Sequence, residues 1–258
     1  MSGEIINYNN VKVSVVMPVY QTSEIYLREA IKSVLEQTYS DFEFLIVNDS
    51  PPDESRLQQI VASYNDDRII WIPCKINSGI AIASNIGIDR AQGLFIAMMD
   101  HDDVCVPTRF EQQVKFLKNN PKFGFVGGQA EAFYPDEFSV RLNYLTSSST
   151  TELKQSFFNG VPFLNPSVMF RKSALNTLRY NSYYKVCADY DLFARLIFEQ
   201  NIMATNLPEI ILRYRFHDAN TSLNQYLLAE QETNEIQHWI LQHDNVLRSS
   251  LYNPCKMV

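Results

Sequence analysis

Basic runs are missing from this chain. No stretch of Lys and Arg exceeds two residues, and 22 Lys and Arg against 29 Asp and Glu leave a net charge of −7. A surface of that sign does not gather a polyphosphate backbone, so nucleic acid is not expected as a partner. A phosphate-bearing ligand must then be held by a metal and local groups. Long apolar runs are missing too, and none comes near the ~18 residues of a membrane-spanning helix, so no span is expected. The opening Met1-Ser2-Gly3-Glu4-Ile5-Ile6-Asn7 has no basic end leading into an apolar core, so no signal peptide is expected. The four cysteines, Cys74, Cys105, Cys187 and Cys255, show no paired spacing, the pattern of reduced thiols. A cytoplasmic location is expected, with contact to the inner face of a membrane left open. Glycine is sparse, at 8 residues. There is no Gly-x-x-x-x-Gly-Lys loop and no Gly-x-Gly-x-x-Gly after the first apolar run, so no glycine loop cradles phosphates.

What is present is apolar material in strand-length pieces. Apolar residues make up 46 %, ample for one large α/β domain or a domain with an appendage. Residues 11–16 form a first run, ending at Pro18. Ser23 can cap a helix in which Leu27, Ile31, Val34 and Leu35 recur at helical spacing. Residues 42–47 read as a second strand, and residues 48–53 as a turn into a helix with Leu57, Ile60, Val61 and Tyr64 inside. A third strand spans 69–72. Asn77-Ser78-Gly79 then breaks the chain before a small-residue helix through Ala81, Ala83, Asn85 and Gly87. The fourth strand spans 94–99, and Pro107 opens a helix with Phe110, Val114 and Leu117 inward. Four strand–helix alternations over residues 11–118 specify a parallel sheet with right-handed crossovers.

The second half is less regular. Strands are expected at 123–127, 165–171 and 210–216, helices at 151–158 and 189–198, and a hairpin or irregular insertion at 131–145. From about Ser222, Leu227, Leu228, Ile236, Trp239, Ile240 and Leu247 suggest an amphipathic terminal helix or helix pair.

Chemistry concentrates after the fourth strand, where Asp100, Asp102 and Asp103 follow a buried apolar run directly. Ligands of open α/β sheets bind just beyond the carboxyl ends of strands. Carboxylates packed this closely repel unless a cation or hydrogen bonds offset them. Mg²⁺ takes one or two protein carboxylates and fills its shell with water and substrate phosphates. A solvated acidic turn, with Asp103 or Thr108 capping the next helix, is the other reading of the same residues.

Taken in order, several pieces resemble family 2 glycosyltransferases. They are Val13-Ser14-Val15-Val16-Met17-Pro18-Val19-Tyr20, Ser33-Val34-Leu35-Glu36-Gln37-Thr38 and Ile46-Val47-Asn48-Asp49-Ser50. An Asp-x-Asp motif, Asp100-His101-Asp102, follows with Asp103, Pro107 and Arg109. Pro166-Ser167-Val168-Met169-Phe170-Arg171, Ala188-Asp189-Tyr190-Asp191-Leu192 and Tyr214-Arg215-Phe216-His217 complete the set. The resemblance implies a GT-A, Rossmann-like α/β fold, with a mostly parallel sheet flanked by helices. It places a glycosyltransferase domain at 1–221, its nucleotide-binding half at about 11–118 and its acceptor-binding half at about 119–221. A C-terminal helical extension would occupy 222–258, packing its apolar face on the body or on a second copy as an add-on to the catalytic core.

The same resemblance implies the site. Pro18 and Tyr20 would lie along the nucleotide, Asp49 would bond the base, and Asp100 would lie near the ribose or sugar. Asn85 and His101 are counted with the nucleotide-sugar contacts, His101 pointing away from the metal. Asp102 would bind Mn²⁺ or Mg²⁺, His217 would be a further metal or diphosphate contact, and Asp189 would be the catalytic base. Three positions depart from the family pattern: Ala188 for an acid, Asn48 for the first Asp of the second strand's end, and Ser84 for an arginine. The expected activity is inverting, metal-dependent transfer of a sugar, from a UDP-sugar, to a hydroxyl of a glycan or glycolipid, as in surface polysaccharide synthesis. A catalytically silent nucleotide-sugar-binding subunit is the alternative, and a homodimer is left open.

Overall fold

The computed structural model describes residues 12–134, 139–142 and 150–244. Strand β1 (Val13–Val19) is buried along its whole length, because it lies between two parallel neighbours and under helices on both faces. That is why its sequence is continuously apolar rather than alternating. Helix α1 (Glu24–Leu35) starts at Ser23, whose hydroxyl accepts the Tyr26 N–H at 3.2 Å. Strand β2 (Phe42–Asn48) is followed by a 3₁₀ turn over Pro51–Asp53 and helix α2 (Glu54–Ala62). Strand β3 (Ile69–Pro73) leads to helix α3 (Ile80–Arg90). Gly79, at φ 86°, turns the chain into α3 in a conformation side chains resist. The small face of α3 lets it lie close on the sheet: a Cβ at Gly87 would stand 2.4 Å from Val16 Cγ1. Strand β4 (Phe95–Met98), the short β5 (Val104–Cys105) and helix α4 (Arg109–Asn119) follow.

The strand order begins β3-β2-β1-β4, all parallel. The chain builds outward from β1 to β3, then returns to the other side of β1. That reversal opens a crevice at the carboxyl ends of β1 and β4.

Beyond β4 the pairing changes. Strand β6 (Phe123–Phe133) runs well past the expected 127 and pairs antiparallel with β7 (Ser139–Leu142). This is the hairpin expected over 131–145, part of which lies outside the described residues. Helix α5 (Thr150–Ser156), strand β8 (Met169–Arg171) and the short helix α6 (Lys172–Leu175) come next. Helix α7 (Ala188–Ala194) continues as a π turn over Arg195–Glu199, and β9 (Met203–Arg215) begins seven residues before the expected 210. Strand β8 joins β4 and β6 antiparallel, β6 and β9 are parallel, and β5 pairs antiparallel with β9. Among the described residues the nine strands form one sheet. Helices α8 (Thr221–Asn224) and α9 (Tyr226–His243) end the described chain.

Each face of the sheet carries its own apolar layer. Val13, Val15 and Met17 of β1 point to the side of α1, α2 and α4, with Leu27, Ile31, Leu57, Ile60, Phe110 and Val114. Val16 points to the other side, with Ala83, Phe125, Phe193, Leu196, Ile236 and Ile240. Helix α9 thus packs Ile236 and Ile240 on the body, over α7, while Leu227 at its start is exposed.

Candidate active site

At the carboxyl end of β1 the chain leaves the sheet through Tyr20, Gln21 and Thr22, with Gln21 at φ 43°. A cavity of about 440 Å³ opens here, lined by Tyr20, Thr22, Ser50, Pro52, Arg56 and Asn77. Pro18 is buried in β1 opposite Val47, while Tyr20 is 45 % exposed on the cavity wall. Asp49 is buried at the end of β2. It accepts the peptide N–H groups of Ser78 and Gly79, both at 2.8 Å, and the Asn77 side-chain amide at 3.3 Å. Burial pushes its carboxyl up, and the two peptide donors pull part of the way back. Its oxygens hold the loop that lines the cavity, and the bond to a base that the resemblance implies would use the acceptor capacity left beside these three bonds.

The end of β4 carries the acids. One oxygen from each of Asp100, Asp102 and Asp103 lies within 4.8 Å of the others. Strand β9 fixes them there. The Arg215 peptide N–H donates to Asp103 at 2.8 Å, and its Nε donates to the Asp102 carbonyl at 2.7 Å. The Arg215 guanidinium also pairs with Glu29 and lies over the rings of Tyr26 and Phe133, 4.3 and 4.4 Å from their centroids. Two residues on, His217 Nε2 stands 2.9 Å from Asp102 Oδ2. Below the cluster Arg109 is fully buried, donating to the Met98 carbonyl at 2.8 Å and to Gln113 Oε1 at 3.1 Å.

The electrostatics of this cluster are unbalanced. Burial, then the charges of Asp102 and Asp189, push Asp100 up to about 8, against a smaller pull from Arg109. Burial, then the charges of Asp102 and Asp100, hold Asp103 well above the carboxylate range, and its Oδ2 has no hydrogen-bond partner. Burial would raise Asp102 as well, but the His217 hydrogen bond and the nearby imidazoles leave it lowered. Three carboxyls that cannot all ionise together are a donor set short of a cation. The hard carboxylate oxygens and the borderline imidazole beside them fit Mn²⁺ or Mg²⁺. Burial holds His101 below the usual imidazole range, and its Nδ1 has no hydrogen-bond partner.

Asp189 is the second residue of α7. Its Oδ1 accepts the Tyr190 N–H at 2.8 Å. Burial, joined by the charge of Glu232, outweighs the backbone hydrogen bonds and pushes it up to about 6. It is therefore ionised at neutral pH but a better base than an exposed Asp. The expected apolar face, Leu192, Phe193, Leu196 and Ile197, is buried and fixes the turn. Asp191 is no substitute, since Arg195 Nε and Nη2 occupy its Oδ2 at 2.9 and 2.6 Å.

Asp189 and Asp100 also face Tyr180, which together with burial they hold well above the usual phenol range. The Tyr180 hydroxyl donates to Asn165 Oδ1 at 2.7 Å. Its peptide N–H and carbonyl are both taken by the Asn85 amide, each at 2.9 Å. Asn85 thus clasps the Tyr180 loop, using one of its two amide hydrogens and one acceptor site of its oxygen. Tyr180 and Asn165 were missed in the sequence. Asn165 directly precedes the Pro166–Arg171 piece, but Tyr180 carries no spacing signal.

The acids at the sheet's carboxyl edge, the His217–Asp102 pair and Asp189 in the first turn of α7 follow the order of the pieces read from the sequence. The model of the family described as "Glycosyl transferase family 2" matches residues 14–179, well over half the chain. The chain belongs to glycosyltransferase family 2. This glycosyltransferase is 30 % identical over 215 residues to the Escherichia coli UDP-Glc:alpha-D-GlcNAc-diphosphoundecaprenol beta-1,3-glucosyltransferase WfgD, covering 83 % of this chain and 81 % of the relative. Among solved structures it resembles residues 1–349 of Staphylococcus aureus TarS in complex with UDP-GlcNAc, with a TM-score of 0.70 at 18 % identity. That match covers 90 % of this chain and 66 % of the other, so the chain spans just under two thirds of that structure. The mannosyltransferase PcManGT of Pyrobaculum calidifontis, in complex with GDP-Man and Mn²⁺, has a TM-score of 0.63 at 16 % identity, over 83 % of this chain and 59 % of that one. The structural likenesses establish the GT-A fold. Among the described residues no helix of the glycosyltransferase is long and apolar enough to cross a membrane.

Proposed function

We propose that this glycosyltransferase is inverting and metal-dependent, moving a sugar from a UDP-sugar to a hydroxyl of a glycan or glycolipid. The observation that carries it is that Asp189 is close enough to Asp100 for their charges to interact at one sheet end, where Asp102 and His217 form a pair. The UDP-GlcNAc bound in TarS and the UDP-Glc in the name of WfgD support the donor class. The diphosphoundecaprenol acceptor of WfgD supports a glycolipid. Such an acceptor would bring the enzyme to a membrane surface from the cytoplasmic side.

Asp102 and His217 would hold Mn²⁺ or Mg²⁺, with Asp100 beside them. When bound, the ion supplies Lewis-acid stabilisation of the leaving diphosphate. The cavity between Tyr20, Ser50 and Asn77 receives the nucleoside, and Asp49 keeps the Asn77 loop in place. Tyr180 and Asn165 wall the space between Asp100 and Asp189. Asp189 takes the proton of the acceptor hydroxyl as its oxygen bonds to the anomeric carbon and the bond to the diphosphate breaks. Attack opposite the leaving group inverts that carbon.

The test is donor hydrolysis. With Mn²⁺ and a panel of UDP-glucose, UDP-GlcNAc and GDP-mannose, free UDP should accumulate from a UDP-sugar and stop on adding EDTA. Binding of UDP without release of nucleotide from any donor would favour the silent binding subunit. Release that is indifferent to EDTA would overturn the metal.

A further inference from the structure

Helix α9 lies beyond the residues matched by the family, yet it reaches the base of the cleft. Glu232 is a carboxylate only 5 % exposed. It accepts three consecutive peptide N–H groups: Lys185 at 2.7 Å, Val186 at 2.9 Å and Cys187 at 2.8 Å. These donors lead into the first turn of α7, where N–H groups lack helical partners, and no local side chain caps them. Charge-assisted bonds from three donors to one buried carboxylate make a stiff tie. Around it, Cys187 Sγ meets the Ala229 carbonyl at 3.4 Å, and Gln237 donates to the Phe157 carbonyl at 2.9 Å, which also accepts the Tyr190 hydroxyl. Ile236 and Ile240 are buried in the same layer as Leu192 and Phe193. Asp189 is two residues past the last donor, so a shift of this backbone carries Asp189 with it.

We propose that Glu232 is a positioning residue for sugar transfer: from the C-terminal helix it sets the backbone that aims Asp189, which makes α9 part of the catalytic apparatus and not an appendage. The proposal rests on Asp189 being the base. Glu232→Gln keeps the shape but turns one acceptor into an amino group facing peptide N–H donors. With Mn²⁺ and whichever of UDP-glucose, UDP-GlcNAc and GDP-mannose the wild type hydrolyses fastest, kcat should fall about 10–100-fold, the scale of a misplaced catalytic group. KM for the donor and affinity for UDP should not move. In an Asp189→Asn background the same change should do nothing further, because coupled residues are non-additive. Glu232→Asp, which keeps the charge, should retain more of kcat, and it carries the same comparison if Glu232→Gln does not fold. Amide exchange at residues 185–187 should quicken in the variant, a readout that needs no turnover. A wild-type kcat, equal losses in both backgrounds, a change in KM alone, or unchanged exchange would each overturn the proposal. Full activity in Asp189→Asn alone would instead remove the base assignment, whereas an inactive Asp189→Asn beside a normal Glu232→Gln removes only the positioning role.

Discussion

Two carboxylate sites share one sheet edge and differ in what satisfies them. Asp49, at the end of β2, has two peptide N–H groups and an amide from its own fold. Asp100, Asp102 and Asp103, at the end of β4, have mainly one another, with His217 and Arg215 at the margins. The first site is complete and holds a loop. The second is incomplete and invites a cation. The same residue type, at the same end of two parallel strands that flank β1, is placed differently according to whether internal donors reach it. Asp189 stands between these cases: its Oδ1 accepts the Tyr190 N–H, and among the described residues no ion pair holds it.

The comparison can be broken most sharply at Asp189. Asp189→Asn is nearly isosteric, so UDP and metal binding should survive, while transfer should fall on the order of 10²–10⁴-fold, as for loss of a general base. It should not destabilise the fold. Asp189 rises from its ordinary 3.8 to about 6 on folding, so the stability attached to its protonated form is present below pH 4 and lost as pH climbs through 6. Above pH 6 the neutral Asn removes that penalty, up to about 3 kcal/mol, and the melting temperature at pH 8 should equal or exceed that of wild type.

The incomplete site is tested by Asp102→Asn. Mn²⁺ should then no longer strengthen UDP binding, an effect of about 10-fold or more by calorimetry, with the fold intact by circular dichroism. Wild-type metal dependence in the variant would refute Asp102 as ligand. The complete site should respond differently. Asp49→Asn points an amino group at a peptide N–H and leaves one donor unmet, so chemical denaturation should show a loss of about 1–3 kcal/mol, and UDP should weaken with or without metal. The smallest effect is in pH. Wild-type kcat/KM for the donor should rise through about pH 6 and level off above it as Asp189 ionises. A profile flat from pH 5 to 8 would place the base elsewhere.

Much of this was legible because the parallel half speaks locally. Strands β1, β2 and β4 are buried on both faces, so each is a continuous apolar word, and α1, α2 and α4 repeat Leu, Ile, Val and Phe at helical spacing. The ends of those strands were therefore readable, and with them the acids. Strand β6 was read short because Gly128, Gln129 and Glu131 break its apolar run and its register slips around Gln129, and β9 because its burial is mixed, with Arg213 facing outward. What could not be read were residues whose partners are far along the chain. Asn85 bonds Tyr180, and Glu232 bonds residues 185–187; nothing near any of them in sequence announces the contact. The motif around Asp49 says where the residue is, and only the fold shows which donors close over it.

The order in which strands join β4 also bears on biogenesis. Strand β4 has β1 on one side and β8 on the other, and β8 begins only at Met169. On the ribosome, at about 5–20 residues per second, the first half-sheet can assemble while the far side of β4 waits several seconds with its peptide groups bare. Naked strand edges recruit other chains, and charge beside them is a recognised deterrent. The acids that end β4 sit beside that open edge during the wait. A nascent chain bearing neutral residues at 100, 102 and 103 would lose this guard, and clumping during synthesis would become a hazard separate from any loss of activity in the finished enzyme.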